Sequence, residues 1–275
     1  MKPAKPLLLI FFTTIGSSLS MLAYMVLIEP NFIIVEELHI KSRELPSSFD
    51  GFRIVHISDL HLKGIGFRES YSLDIIRSLR PDIIVVTGDL FERSHEGRLA
   101  IEYLRNLIQL APVIMVYGNH EHWSGFNLNY FKKMAENIGV KVLVNEYVIL
   151  KRGEDLLIVV GVDDPYTGNA DLEKALDFNV SGFTLLLSHS PQIVDSASGK
   201  VDLILTGHTH GGQIFLPLIG PLFIPLPPKY RKYHSGIFHL NNTLLYVNRG
   251  LGTSFWVRFL SPPEITLIVL ETDKG

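Results

Sequence analysis

Cysteine is missing from all 275 residues, which excludes disulfides, thiolate zinc fingers and thiol nucleophiles together. A strong excess of charge is missing too. The 25 Lys and Arg stand against 28 Asp and Glu, for a formal net charge of −3. No long basic run or basic–aromatic stripe breaks that balance, so there is no nucleic-acid patch to read. The N-terminus has no twin-arginine pair, and no internal repeat or linker divides the later sequence. A metal site in this chain would have to be built from oxygen and imidazole nitrogen.

Charge is absent altogether from residues 7–28, LLLIFFTTIGSSLSMLAYMVLI. As a helix this run reaches about 33 Å at 1.5 Å per residue, enough for a hydrocarbon core of roughly 30 Å. Lys2 and Lys5 precede it, and Glu29 and Pro30 close it. A signal peptide would have a shorter apolar core, about 7–15 residues, ending in a small-x-small site. No convincing site precedes Glu29. The expectation is an uncleaved single-pass membrane anchor over residues 1–30 and one domain over residues 31–275. Lys2, Lys5 and the free amino group favour a cytoplasmic N-terminus, hence an extracytoplasmic domain at the cell membrane. Lys41 and Arg43 weigh against that bias from the other side.

Beyond the anchor, residues 31–42 alternate apolar and polar and predict an edge strand. Residues 45–51, with Pro46 and Asp50, predict a turn. Strands are expected at 53–57, 82–86 and 113–117, and helices at 72–79, 96–110 and near 128–137. The 96–110 helix carries Leu99, Tyr103, Leu104, Leu107 and Ile108 on one side. Next come strands at 140–150 and 156–162 joined by a turn, a helix at 171–178, and buried strands at 183–188 and 201–206 around a short helix at 191–197. Strands near 235–240, 243–248 and 264–271 complete the chain. Alternation early and antiparallel strands late predict an α/β fold of mixed sheets with helices on the outer faces. Residues 216–228, LPLIGPLFIPLPP, hold five prolines, which excludes a regular central strand. The segment is either an apolar loop packed on the domain or an exposed lip that touches lipid or an acylated substrate.

Five short motifs each follow an apolar run. They are Asp59-Leu60-His61, Gly88-Asp89, Gly118-Asn119-His120-Glu121, Ser188-His189 and Gly207-His208-Thr209-His210-Gly211-Gly212-Gln213. Alone, each has a plain structural explanation: a chance Asp-x-His, a Gly-Asp turn, a helix cap, a core histidine. Together they bring Asp59, His61, Asp89, Asn119, His189, His208 and His210 to strand ends, with His120 to spare. Seven such ligands suffice for two adjacent cations, and two cations clamping a phosphate can hydrolyse a phosphoester. In open α/β sheets the crevice beyond the strand C-termini is the usual ligand site. Gly88, Gly118 and Gly207 remove side chains where the backbone must approach closely or turn sharply.

The ordered set resembles the calcineurin-like metallophosphoesterase superfamily, whose signature runs Asp-x-His, Gly-Asp, Gly-Asn-His-Asp/Glu, His, Gly-His-x-His. The match spans roughly residues 50–272, and no core ligand position departs from it. The resemblance implies a four-layer α/β/β/α sandwich and a dinuclear centre of two divalent metal ions, Mn, Fe, Zn or Ni. It implies that Asp59, His61, Asp89 and His210 hold one ion, and that Asp89 bridges to a second held also by Asn119, His189 and His208. His120 is then the catalytic partner of the substrate phosphate. The implied reaction is hydrolysis of a phosphoester, foremost a phosphodiester, with a metal-bridging hydroxide as nucleophile. General chemistry agrees: a carboxylate can bridge two cations, paired cations make hydroxide available near neutral pH, and a positioned histidine can serve a leaving oxygen.

Other residues are read more plainly. Glu121 is expected to orient a ligand. His122 reads as a surface residue before a site residue, and Asp163-Asp164 as a turn or cap before a substrate support. Arg249 and Arg258 read as surface or ion-pair residues before phosphate clasps. His39, His56, His95, His234 and His239 match no motif. Within the superfamily, the anchor and the Gly-Gly-Gln tail are similar to a membrane-associated bacterial branch. That branch includes envelope phosphodiesterases and UDP-2,3-diacylglucosamine pyrophosphatases of lipid A synthesis, so the substrate can be lipid-linked. A nucleotide-linked lipid needs a cytoplasmic domain, which ranks the pyrophosphatase second. A non-catalytic scaffold of the same fold ranks last, because scaffolds typically lose ligands and here every position is filled.

Overall fold

Two six-stranded sheets face each other in the computed structural model, which describes residues 4–273. In chain order the elements are α1 (Ala4–Ala23), β1 (Ile34–Ser42), β2 (Phe52–Ile57), α2 (Phe67–Leu79), β3 (Ile83–Thr87), α3 (Gly97–Leu107) and β4 (Val113–Val116). There follow α4 (Asn119–Trp123), α5 (Leu128–Asn137), β5 (Lys141–Val142), β6 (Glu146–Arg152), β7 (Asp155–Gly161), α6 (Leu172–Ala175) and β8 (Thr184–Leu187). The last are α7 (Val194–Ala197), β9 (Leu203–Thr206), β10 (Phe215–Leu216), β11 (Gly220–Pro221), β12 (Gly236–Leu240), β13 (Thr243–Val247) and β14 (Glu264–Thr272). The first sheet runs β1-β14-β2-β3-β4-β5 and the second β12-β13-β9-β8-β7-β6.

The central strands are apolar on both faces because both faces are covered. Val55, Ile57, Ile84 and Val86 pack under α2, α3 and α5, joined by Ile76, Leu104 and Phe131. Ile54, Val85 and Val116 turn the other way, against Val159, Leu185 and Leu205 of the second sheet. Ile158, Leu186 and Ile204 in turn support Leu172 and Val194 on the far side. These are the four expected layers, helix, sheet, sheet, helix. Truncating one of these buried aliphatics to alanine should cost about 2–5 kcal/mol.

Three expectations change in detail. The strand expected over 140–150 divides into β5 and β6, which lie in different sheets. Asn145, at φ 55°, is where the chain crosses between them. Its apolar pattern runs on because each sheet buries its own part. The late strands are not all antiparallel: β13 runs parallel to β9, and β1 parallel to β14. In the proline-rich segment Leu216 and Gly220–Pro221 join the two-residue strands β10 and β11, a small hairpin with Leu218 and Ile219 at its tip.

The helical path from Leu8 to Asn31 is long and apolar enough to cross a membrane. Its end is fastened to the domain. Arg258 N donates to Met25 O over 3.0 Å, and buried Glu29 accepts from Ser261 N over 2.7 Å.

Candidate metal centre

The parallel strands β2, β3 and β4 of one sheet, and β8 and β9 of the other, all end at the same rim. The residues just past these ends are Asp59, Asp89, Asn119, His189 and His208, and they converge there. The turn backbone is unusual. Asp59, His61, Asp89, His208 and His210 have φ of 51°, 46°, 54°, 72° and 51°. Left-handed backbone costs a non-glycine residue on the order of 1 kcal/mol or more, and such strain collects at functional sites. Cross-links hold it in place: Asp59 N to Gly88 O (3.0 Å), His61 N to Asp89 O (3.0 Å), and His208 N to Asp59 Oδ2 (2.9 Å). The last joins the two sheets.

Glycine is required where these turns meet. A Cβ at Gly207 would sit 2.0 Å from Ser58 Oγ and 2.2 Å from Asp59 Oδ2. One at Gly118 would sit 2.3 Å from Asp89 Oδ1, and one at Gly88 2.4 Å from Gly118 N.

All seven candidate ligands and His120 fall in one cluster. His61 Nε2 is 3.0 Å from His210 Nε2, which is 3.3 Å from Asp59 Oδ1. Asp89 Oδ2 lies 3.8 Å from His61 Nε2 and 3.2 Å from His189 Nε2. His189 Nε2 is 3.0 Å from Asn119 Oδ1 and 3.1 Å from His208 Nδ1. Three overlapping groups could each hold an ion: Asp59, His61 and His210; Asp89, His189 and His208; and His61, Asp89 and His120. So many lone-pair atoms at such separations fit cations between them, and the oxygen and imidazole donors suit divalent ions.

The surroundings fix which nitrogen each imidazole presents. His189 Nδ1 donates to Thr87 O (2.7 Å), His208 Nε2 donates to Pro225 O (3.1 Å), and His61 Nδ1 lies 3.0 Å from Glu92 Oε1. The opposite nitrogen of each ring turns to the cluster, an arrangement that orients ligands in metal sites generally. Burial and neighbouring His189 hold His208 at about 3, and burial keeps His210 well below the usual imidazole value. Both are therefore neutral, the form that ligates metals. Burial opposes ionisation of Asp89, but His189, His120 and His61 outweigh it and hold the carboxyl far below its normal value.

Glu121 is fully buried and accepts from Asp89 N (2.8 Å), Gly118 N (2.8 Å) and Leu90 N (2.5 Å). Burial and the nearby Asp89 push its carboxyl up to about 7. These three bonds tie together the two turns that carry Asp89 and Asn119. His120 differs from the ligand set in being partly exposed. Its backbone N–H donates to Asp89 Oδ1 (2.8 Å), and its ring Nε2 lies 4.0 Å from Asp89 Oδ2. It faces a cavity of about 170 Å³ with Asp89, Asn119, His208 and His210 on its floor and Trp123, Tyr166, Phe223 and Phe255 at its mouth.

Some secondary readings change. His122 is not a plain surface residue: it is half-buried and its Nε2 bonds Asp163 Oδ1 over 2.7 Å. Asp164 caps the turn at Tyr166 and Thr167, which sets the Tyr166 ring 4.5 Å from that of His208. Neither arginine is free for phosphate. Arg249 is paired with Glu264 and Glu36, while buried Arg258 donates to the carbonyls of Arg249, Gly250, Gly252 and Ser261. Sequence reasoning missed Glu92, Tyr166 and Ser254, whose Oγ is 3.0 Å from His210 Nε2. None of the three stands in a recognisable motif. Tyr166 had only its nearness to Asp163-Asp164 as a signal.

Comparison with known proteins agrees with the geometry. The sequence model for calcineurin-like phosphoesterases matches residues 52–212. The metallophosphoesterase YkuE of Bacillus subtilis, described as uncharacterized, is 37% identical over 254 residues, 89% of this chain and 88% of that protein. Phosphodiesterase YaeI of Escherichia coli is 29% identical over 227 residues, 80% of this chain and 82% of that protein. A transmembrane protein with a metallophosphoesterase domain from Danio rerio is 31% identical over 258 residues, 86% of this chain but 57% of that protein.

Proposed function

Since the chain belongs to the calcineurin-like phosphoesterase family and is a phosphoric ester hydrolase, we propose that it hydrolyses a phosphodiester with two divalent ions. In this reading Asp59, His61, Asp89 and His210 hold one ion. Asp89 is shared with a second, held also by Asn119, His189 and His208. The observation that carries the reading is the Asp89 carboxylate, 3.8 Å from His61 Nε2 on one side and 3.2 Å from His189 Nε2 on the other.

Two such ions, when bound, supply Lewis acidity at the phosphate and make water nucleophilic near neutral pH. The chain supplies the rest. Gly88, Gly118 and Gly207 let the turns close, and Glu121 ties the Asp89 and Asn119 turns together. His120 offers a ring nitrogen to a phosphoryl or leaving-group oxygen, the geometry of a proton donor. Nitrogen and oxygen donors suit Mn, Fe, Zn or Ni. The similarity to a phosphodiesterase favours a diester over a monoester.

The apolar path from Leu8 to Asn31 supports a single-pass anchor, and Lys2 and Lys5 support an extracytoplasmic domain. A second reading, a UDP-2,3-diacylglucosamine pyrophosphatase, is favoured by the apolar mouth formed by Phe223 and Phe255. It requires the opposite orientation.

The test is turnover with added Mn²⁺ on monoesters, diesters and UDP-linked lipids, by the parent and by Asp89→Asn. The variant should lose several orders of magnitude in rate and at least one ion. Two bound ions with near-normal turnover would eliminate the shared carboxylate.

A further inference from the structure

Seven of the large apolar side chains that the domain exposes fall on two neighbouring segments, 218–223 and 255–260. Leu218 and Ile219 project from the tip of the β10–β11 hairpin, with Leu222 and Phe223 just behind them. Phe255, Trp256 and Leu260 are also exposed, Trp256 at 78%. Backbone bonds join these segments: Phe215 N donates to Phe259 O, and Phe259 N to Gln213 O, each over 2.8 Å.

The group is continuous with the apolar helix. Phe259 and Leu260 border a groove whose other wall is α1, from Thr13 to Met21, and Tyr24. Trp256 shares a second groove with Val26, Pro30, Lys63 and Arg68, and His61 also lines it. Lys63 Nζ lies 5.3 Å from the Trp256 ring centre. A contiguous apolar patch of this kind marks an interaction surface, and aromatic rings beside Lys and Arg are the composition of a bilayer interface.

We propose that this lip rests in the headgroup–acyl boundary of the bilayer that α1 spans, and that the substrate is a membrane-borne amphiphilic phosphodiester. The substrate half rests on the hydrolytic reading above; the lip half does not. Phe223 and Phe255 belong both to the lip and to the mouth of the 170 Å³ cavity. That space takes a phosphodiester and a small headgroup, so acyl chains stay in the bilayer beside the lip. Water adds across one P–O bond: its oxygen joins phosphorus, one arm leaves as an alcohol with a proton, and a phosphomonoester remains.

Two measurements on the full chain test this. The sequence has two tryptophans, so Trp123→Phe leaves Trp256 as the sole indole emitter. Reconstituted in phosphatidylcholine–phosphatidylglycerol vesicles brominated high in the acyl chain, Trp256 emission should fall by half or more against unbrominated vesicles. Unquenched emission overturns the lip.

The second measurement compares the parent with Leu218→Ser/Ile219→Ser/Leu222→Ser, whose side chains are exposed and line no part of the cavity. With Mn²⁺, bis(4-nitrophenyl) phosphate turnover should stay within about twofold. Cleavage of vesicles of phosphatidylethanolamine, phosphatidylglycerol and phosphatidylserine should fall about tenfold or more. Equal effects on both substrates, or a parent that cleaves only the soluble diester, overturn the lipid substrate. A parent inert on both, with Trp256 quenched, removes the hydrolytic reading and the substrate half with it, and leaves the lip standing.

Discussion

Ser261 donates its backbone N–H to the buried carboxylate of Glu29 over 2.7 Å, and its hydroxyl to the carbonyl of His210 over 2.9 Å. One serine therefore links the end of the apolar helix to a residue of the candidate metal centre. Arg258 makes a parallel link. Its N–H holds Met25 O, while its guanidinium gathers four carbonyls and lies 3.4 Å from His210 Nδ1.

Truncation should expose this linkage. Deleting residues 1–30 removes Glu29 and leaves the buried Ser261 N–H without its acceptor, at about 1–3 kcal/mol. At roughly 2–4 °C per kcal/mol for a domain of this size, the product should melt several degrees below one lacking only residues 1–23. Its turnover should be lower as well. Equal melting points in a thermal scan of the two would show that the Glu29 link carries no stability.

His120→Asn separates proton transfer from metal binding. The variant should keep both ions by metal analysis and lose about 10²–10⁴-fold in rate, the usual span for a positioned acid or base. Loss of an ion alongside the rate would make His120 a ligand, in line with its place in the third donor group.

Glu121→Gln keeps the shape but turns an amide N–H₂ toward backbone N–H groups that now meet carboxylate oxygens. Removing such a supporting partner typically costs 10–100-fold in metal affinity or activity. Metal titration of the variant should show weakening in that range. Unchanged affinity would reduce Glu121 to a helix cap.

His56, which is outside the candidate ligand set, makes an acid-sensitivity prediction. It is fully buried, its Nε2 meets Thr87 Oγ1 at 2.8 Å, and burial lowers it from 6.5 to about 3. Between those values the unfolded chain binds one more proton here than the folded one. Stability therefore falls as pH drops below 6.5, by about 1.4 kcal/mol per unit, and the loss ends near pH 3. His56→Gln should flatten the decline between pH 6.5 and 4.5 in denaturant titrations. Parallel curves for parent and variant would mean that His56 is protonated in the fold.

The sequence shows most clearly what is local. β3 reads as a strand because Ile83, Ile84, Val85 and Val86 form an unbroken apolar run that ends in Gly88-Asp89. The eight candidate site residues stand out because their motifs need only neighbours in the chain. Glu92 could not be singled out: its partner His61 lies 31 positions away, and nothing beside it in sequence hints at the pairing. Glu29 looked like the polar end of an anchor, and only the fold brings Ser261 to it. The 140–150 segment misled for the converse reason. Apolar periodicity records burial, not which of two sheets buries the residue.

β14 lies between β1 and β2, paired along its whole length with a strand more than 200 residues earlier, from Ile34 against Glu264 to Ser42 against Thr272. In the order of biosynthesis, the first strand made waits for the last. A nascent chain halted at residue 263 already carries every candidate ligand and His120, yet its first sheet is open between β1 and β2. Leu267, Ile268 and Leu270 are then missing from the packed layers. Hydrolytic competence should therefore appear only after the final strand leaves the ribosome. A late nonsense mutation would act as a complete loss of function although it removes no residue of the site.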